Sequence, residues 1–173
     1  MNLAKVTPGE NPNKVNVIIE IPYNSNIKYE VDKESGLVVV DRVMYSSMVY
    51  PANYGFVPHT LADDGDPVDV LVLAPYSLQA GSMIASRLIG VLMMEDESGM
   101  DEKLIAVPVS KLDPSFDSIQ ALDDLPKHTL DKIKNFFETY KILEPNKWVK
   151  VTGYKDKAAA EAILEQCIKA CKG

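Results

Sequence analysis

The 173-residue chain is short of the residues that staple a fold, ligate soft metals or stack on bases. It holds two cysteines, two histidines and one tryptophan, with aromatics at 8%. Cys167 and Cys171 stand four apart at the C-terminal end. On a helix they share a face with Ile163, Leu164 and Ile168, so both read as small apolar packing residues. A disulfide framework is excluded, and a zinc centre lacks its four ligands. No apolar run is long enough for a signal peptide, in the stretch MNLAKVTPGENPNK or later, and none could span a bilayer. The expectation is a soluble, cytoplasmic protein without a membrane partner. Positive charge is also scarce: 18 Lys and Arg against 25 Asp and Glu give a net charge of -7, which argues against nucleic acid as a partner. There is no Walker loop and no Ser/His/Asp set. No internal repeat, low-complexity tract or Gly/Ser linker divides the chain, so residues 1–173 are expected to form a single domain with one sizeable core.

What is present is a run of short strands followed by helices. KVNVIIEIP (14–22) reads as a strand stopped by Pro22. IKYEVD (27–32) and LVVVDRV (37–43) flank KESG as a hairpin. Further strands are expected at 68–75, around 84–94 and at 103–109, the last two joined by the acidic loop EDESGMDE. In the stretch 126–143, Leu130, Ile133, Phe137 and Tyr140 recur near a 3.6 period and predict a helix. KWVKVTGY (147–154) returns to a strand, and a closing helix starts from Asp156 as N-cap. The fold class is mainly β with flanking α-helices (α+β): five or six antiparallel strands in a small closed or partly open barrel, helices packed outside.

The stretch DGDPVDV (64–70) concentrates three aspartates before the apolar run VLVLAP. Two like charges about 4 Å apart repel by roughly 4 kcal/mol at an effective dielectric near 20. The cluster therefore either splays into water as a turn or gathers around cations. An EF-hand loop fails, because Gly comes second, Pro67 sits inside and Pro75 falls at the twelfth position. A site for hard cations remains, with Asp64 and Asp66 on one side of an extended segment and Asp69 returned by the Pro67 bend. Carboxylates without histidine or thiolate favour Mg²⁺ or Mn²⁺. Other strand ends carry matching groups: Asp96, Glu97, Asp101, Glu102 and Lys103 in and beside the acidic loop, Lys28 and Glu30 two apart, and Arg42 within LVVVDRV. Each alone reads first as a solvated face. Together, anionic metal ligands and fixed cations are what binding a polyanion through metal ions requires.

These motifs are recognisable as an ordered set. DGDPVDV (64–70) matches the D-G-D-P-x-D-V signature of the soluble inorganic pyrophosphatases of the first family. The match continues through VIIEIP (17–22), IKYEVDKESG (27–36), the stretch 41–75, EDESGMDEKLIAVP (95–108), FFETYK (136–141) and KWVKVTGY (147–154). The chain resembles a bacterial-type member over nearly its whole length. The resemblance implies a five-stranded OB-like closed β-barrel with helices outside, and Mg²⁺-dependent hydrolysis of inorganic pyrophosphate, with several ions per site and Mn²⁺ able to substitute. It implies metal ligation by Asp64, Asp69 and Asp101, Asp69 lying between two metals, with Asp96 and Asp101 holding an ion that arrives with the substrate. Asp66 matches the base for the attacking water. Lys28, Arg42, Tyr54, Lys103, Tyr140 and Lys141 match the residues that grip the phosphoryl groups; Glu20, Glu30 and Tyr50 match supporting positions. Bacterial relatives are commonly hexamers, so a homohexamer is implied. That Arg42 faces Glu30 also rests on the resemblance, since spacing leaves the hairpin register open.

Plainer readings hold for the rest. His59 and His128 read as structural groups, and Trp148, Phe136 and Phe137 as packing. Tyr140 would be core on its helical spacing alone. Three rival functions stand beside the one implied: an Mg²⁺-dependent hydrolase of nucleotides or longer polyphosphates, a non-catalytic OB-type binding module, and a divalent-ion buffer that has lost turnover.

Overall fold

A computed structural model describes residues 5–10 and 12–172. Residues 1–4, 11 and 173, which belong to the expected single domain and in part to the N-terminal stretch without an apolar run, lie outside the described residues. In chain order the strands are β1 (Gly9–Glu10), β2 (Lys14–Ile21), β3 (Ile27–Val31), β4 (Val38–Val43), β5 (Asn53–Phe56), β6 (Asp69–Val72), β7 (Met83–Asp96), β8 (Gly99–Met100) and β9 (Lys103–Pro108). Helix α1 (Lys127–Thr139), strand β10 (Val149–Lys155) and helix α2 (Lys157–Lys172) follow.

Five of these strands close on themselves. β2 pairs with β5, β5 with β6, β6 with β9 and β9 with β7, and the first part of β7 pairs back to β2 through Val15↔Ser86 and Val17↔Ile84. Closure leaves no free edge on the ring. The 14-residue β7 reaches this far because its ends serve different partners: β2 at one, β10 and β8 at the other. One pairing departs from the expected antiparallel pattern. β6 and β9 run parallel, with Asp69↔Lys103 in register, because the chain turns back along β7 before β9 returns in the direction of β6. The four-residue β5 was not evident in the sequence: all its residues are buried, so it shows no alternation of apolar and polar.

The hairpin of β3 and β4 stands as a separate two-stranded sheet. Its register places Arg42 opposite Lys28, while Glu30 pairs with Val39, so Arg42 does not face Glu30. The shift comes from a bulge at Asp41, which lies between the pairs Lys28↔Arg42 and Tyr29↔Val40.

Helix α1 buries Ile133, Phe136 and Phe137 with Tyr50, Tyr54, Leu71 and Ile105. Helix α2 buries Ala160, Leu164 and Cys167 with Val15, Val70 and Leu104. Asp156 caps α2 as expected, its Oδ1 accepting from the Ala159 N–H at 2.9 Å. Cys167 packs as read, but Cys171 is exposed in the final turn of α2, where it borders a cleft rather than the core. Trp148 is also exposed, standing immediately before β10 rather than in the strand. His59 is exposed at φ +56° and makes no hydrogen bond among the described residues, so it marks a turn rather than a bonded structural group. No helix among the described residues is long and apolar enough to cross a membrane.

Gly55 sits where β5 crosses β2 most closely. A Cβ there would lie 1.9 Å from the Ile18 carbonyl oxygen, a backbone atom that cannot move without opening the ring. Gly55→Ala is expected to cost about 3 kcal/mol and to lower Tm by roughly 6–12 °C. Thermal melting by circular dichroism checks this; an unchanged Tm would mean that the ring tolerates a wider β2–β5 crossing.

Candidate active site

The parallel register of β6 and β9 sets Asp69 beside Lys103 at the starts of their strands. Lys103 Nζ donates to Asp69 Oδ2 at 2.6 Å and also to Asp101 Oδ1, two residues upstream. The Lys103 side chain is only 4% exposed. Burial disfavours its charge, yet Asp69 and Asp101 outweigh that and hold the ammonium above its ordinary range. Asp101 is pushed up by burial and by repulsion from Asp69 and Asp96, against the pull of Lys103. The ammonium also lies 5.7 Å from the centre of the Tyr54 ring.

Glu20 enters through a bulge. Ile19 pairs with Gly55 and Ile21 with Tyr54, which leaves Glu20 as the extra residue of β2 and re-aims its side chain. Its Oε1 accepts from the Val31 N–H at 2.7 Å, tying β2 to the hairpin. Burial raises the Glu20 carboxyl to about 7; the Val31 bond opposes the rise, and Asp69 and Glu30 add to it.

The signature aspartates form a turn rather than the extended segment expected. The Asp66 N–H donates to Asp64 Oδ1 at 3.0 Å, the Ala62 N–H donates to the Asp66 carbonyl at 2.8 Å, and Gly65 takes φ +88° between them. Asp66 is 66% exposed and receives the Lys33 ammonium at 2.6 Å. Glu20, Lys28, Glu30, Tyr54, Asp64, Asp66 and Asp69 all border one cleft of about 440 Å³. The other expected residues do not line that cleft, but adjoin it through shared partners. Asp101 and Lys103 join it through Asp69. Asp96, at the end of β7, accepts from Lys141 at 2.7 Å, and Lys141 follows Tyr140 after α1. Arg42 lies beside Asp41 (3.0 Å) and Glu144 (3.3 Å), and Lys28 is paired with Glu30 and lies 3.4 Å from Asp41.

Tyr50, Tyr54 and Tyr140 belong to an aromatic cluster completed by Phe136 and Phe137. Burial, aided by neighbouring acids and rings, holds all three phenols well above their ordinary range. They stay protonated at neutral pH and can donate. Sequence reading missed Lys33, Asp41 and Glu144. The pair Asp41-Arg42 inside an apolar strand was a signal for Asp41; Lys33 and Glu144 find their partners only through the fold.

Among the described residues no group of three or more Asp, Glu, His or Cys side chains forms a ready metal set, and ammonium groups engage most of the carboxylates. The donors themselves suit a hard divalent cation: all are carboxylate oxygens, and burial with mutual repulsion at Glu20 and Asp101 is what such a cation would relieve.

A closed five-stranded barrel whose acid-rich mouth is gripped by lysines, Lys103 among them buried, has the charge pattern of a hydrolase acting on a compact polyanion. The family model described as Inorganic pyrophosphatase matches residues 17–172. The inorganic pyrophosphatase of Campylobacter jejuni is 68% identical over 169 residues, 98% of each chain. A solved inorganic pyrophosphatase of Helicobacter pylori, 60% identical, superposes with a TM-score of 0.95 over 98% of this chain and 99% of its own. That of Thermus thermophilus, 44% identical, also gives 0.95, with all of both chains covered. The chain belongs to the inorganic pyrophosphatase family. Membership implies a divalent metal cofactor.

The raised Glu20 carboxyl fixes a pH dependence. The unfolded chain ionises Glu20 near 4.5 and the folded chain near 7, so the folded state binds the extra proton between them. Its contribution to stability is full below about 4.5 and is lost as pH rises through 7. In chelator-treated protein, Tm should fall between pH 5 and 8 by about 5 °C more for the wild type than for Glu20→Gln. Parallel curves would contradict burial as the cause.

Proposed function

We propose that the chain hydrolyses inorganic pyrophosphate to two orthophosphates by direct attack of water, with Mg²⁺ as cofactor and Mn²⁺ able to substitute. The observation that carries this reading is the buried Lys103 held between Asp69 and Asp101, with Asp69 facing the cleft that Asp64 and Asp66 also border. Asp64, Asp69, Asp96 and Asp101 would hold the metal ions. When bound, such ions neutralise phosphoryl oxygens and lower the pKa of water.

The chain's own groups supply the rest. Asp66 is exposed at the cleft and takes or aims the proton of the attacking water. Lys28, Arg42, Lys103 and Lys141 provide fixed cations for the two phosphoryl groups, and Tyr54 and Tyr140 donate from phenols that burial keeps protonated. Glu20, Glu30 and Tyr50 support: Glu20 through Val31, Glu30 through Lys28 and Tyr50 through the Tyr54 ring. Because the lysines engage the carboxylates, metal and substrate binding would exchange partners. Lys103 and Lys141, now donating to Asp69, Asp101 and Asp96, would be freed for phosphoryl oxygens if cations took up those carboxylates.

The same reading includes a single domain, a cytoplasmic location and a homohexamer. The net charge of -7 supports the absence of a nucleic-acid partner. Exposed Leu37, Val40 and Val43 on the β3–β4 hairpin and its turn fit burial in an assembly.

Phosphate release from pyrophosphate at neutral pH, with and without millimolar Mg²⁺, tests the reading against ATP and tripolyphosphate. Fast Mg²⁺-dependent release from pyrophosphate alone is expected; preferred turnover of ATP or tripolyphosphate would move the substrate assignment. Asp66→Asn should lower kcat by about 10²–10⁴ while metal binding stays largely intact, and an undiminished kcat would remove Asp66 from the mechanism. Asp69→Asn should instead weaken metal binding, read by calorimetric titration with Mg²⁺ or Mn²⁺.

A further inference from the structure

Between Lys141 and Lys150 the chain runs through turns on the surface. Ile142 and Leu143 are 72% and 61% exposed, so apolar burial does not hold this segment down. Glu144 is the one buried residue in the stretch, at 9%. Its position is set by the turns that leave α1: the Ile142 N–H donates to the Thr139 carbonyl at 3.0 Å, and the Glu144 N–H to the Lys141 carbonyl at 2.9 Å. A carboxylate in that place is costly unless something compensates its charge.

The compensation comes from β4. Glu144 Oε1 lies 3.3 Å from Arg42 Nη2, and Arg42 Nη1 donates to Asp41 Oδ2 at 3.0 Å. The guanidinium is thus held from two sides: by its bulged neighbour on the hairpin and by a residue from the segment after α1. Both the buried Arg42 Nε and Glu144 Oε1 lack a hydrogen-bond partner. The pair therefore fixes the guanidinium by charge while leaving it a free N–H. The same turns carry Tyr140 and Lys141, so one buried contact links three of the groups assigned above to the substrate.

We propose that Glu144 is a positioning residue for the reaction: it holds the Arg42 guanidinium in its phosphate-binding orientation and pins the Tyr140–Lys141 segment to the hairpin. The proposal rests on Arg42 being a phosphate ligand. A carboxylate draws the guanidinium by charge at 3.3 Å, whereas a neutral amide of the same shape would hold it weakly. Glu144 itself stays paired with Arg42 and does not touch the substrate.

The experiment is a double-mutant cycle on the full chain with Mg²⁺ and pyrophosphate, using Glu144→Gln, Arg42→Ala and both together. Calorimetric binding of imidodiphosphate and Tm are measured alongside. E144Q should raise KM roughly tenfold, with a smaller change in kcat, and weaken imidodiphosphate binding to match. R42A should raise KM further, and the double variant should be no worse than R42A. Glu144→Asp should recover part of the loss. If E144Q leaves KM and imidodiphosphate affinity unchanged while R42A raises KM, Glu144 has no positioning role. If E144Q and R42A add in full, Glu144 acts elsewhere and the proposal falls. If R42A leaves KM unchanged, Arg42's assignment as a phosphate ligand fails first, and the inference fails with it. A loss of Tm in E144Q without any change in KM assigns Glu144 to stability alone and overturns the proposal.

Discussion

Lys103 lies buried between Asp69 and Asp101, and the mouth of the barrel depends on that arrangement. Two carboxylates sharing one partner repel unless a cation lies between them. Lys103 supplies the cation, and Asp69 and Asp101 in turn keep Lys103 charged against its own burial. The β-sheet makes the meeting possible. Only the parallel pairing of β6 with β9 sets Asp69 and Lys103 side by side, and that pairing follows from the return of the chain along β7. Fold and charge are therefore coupled: the ring closes with its acids already neutralised, and a divalent cation entering later would release the lysine toward an anion.

Irregularities in the strands extend the same logic. Glu20 and Asp41 are both extra residues at bulges, one in β2 and one in β4. Each would otherwise follow the alternation of its strand; the bulge aims it instead at a neighbouring element. Glu20 receives the Val31 amide, and Asp41 sits between Lys28 and Arg42. Beneath these groups lies the aromatic cluster of Tyr50, Tyr54, Phe136, Phe137 and Tyr140, which seats α1 against the barrel and sets three phenols near the acids. Packing and site are one layer here, which explains why Tyr140 looks like a core residue on its spacing.

How far the sequence discloses this varies by residue. The strand β2, the hairpin, β9 and both helices are legible because their apolar periods are regular and their ends carry Pro22, Gly36 and Asp156. β5 is hidden because NYGF is short and buried on every side. The parallel β6–β9 pair is hidden because register and direction are decided by partners, not by local pattern. Within the site, the D-x-D-x-x-D spacing is visible, but its turn conformation depends on Gly65 at positive φ. Lys33 reaches Asp66 across 33 positions, and Glu144 reaches Arg42 across about a hundred; no spacing rule could join them. Trp148 and Cys171 mislead for the opposite reason. Their residue types suggest burial, but Trp148 stands just ahead of β10 and Cys171 in the last turn of α2, bordering the cleft.

The acids at the barrel mouth are proposed to exchange lysine partners for divalent cations. Crystals grown with Mn²⁺, measured at a wavelength where manganese scatters anomalously, test it most directly. Anomalous peaks are expected within coordination distance, about 2.0–2.3 Å, of the Asp64, Asp69 and Asp101 oxygens, with Lys103 Nζ withdrawn from at least one carboxylate. Manganese bound elsewhere, with Lys103 still joined to both Asp69 and Asp101, would contradict it.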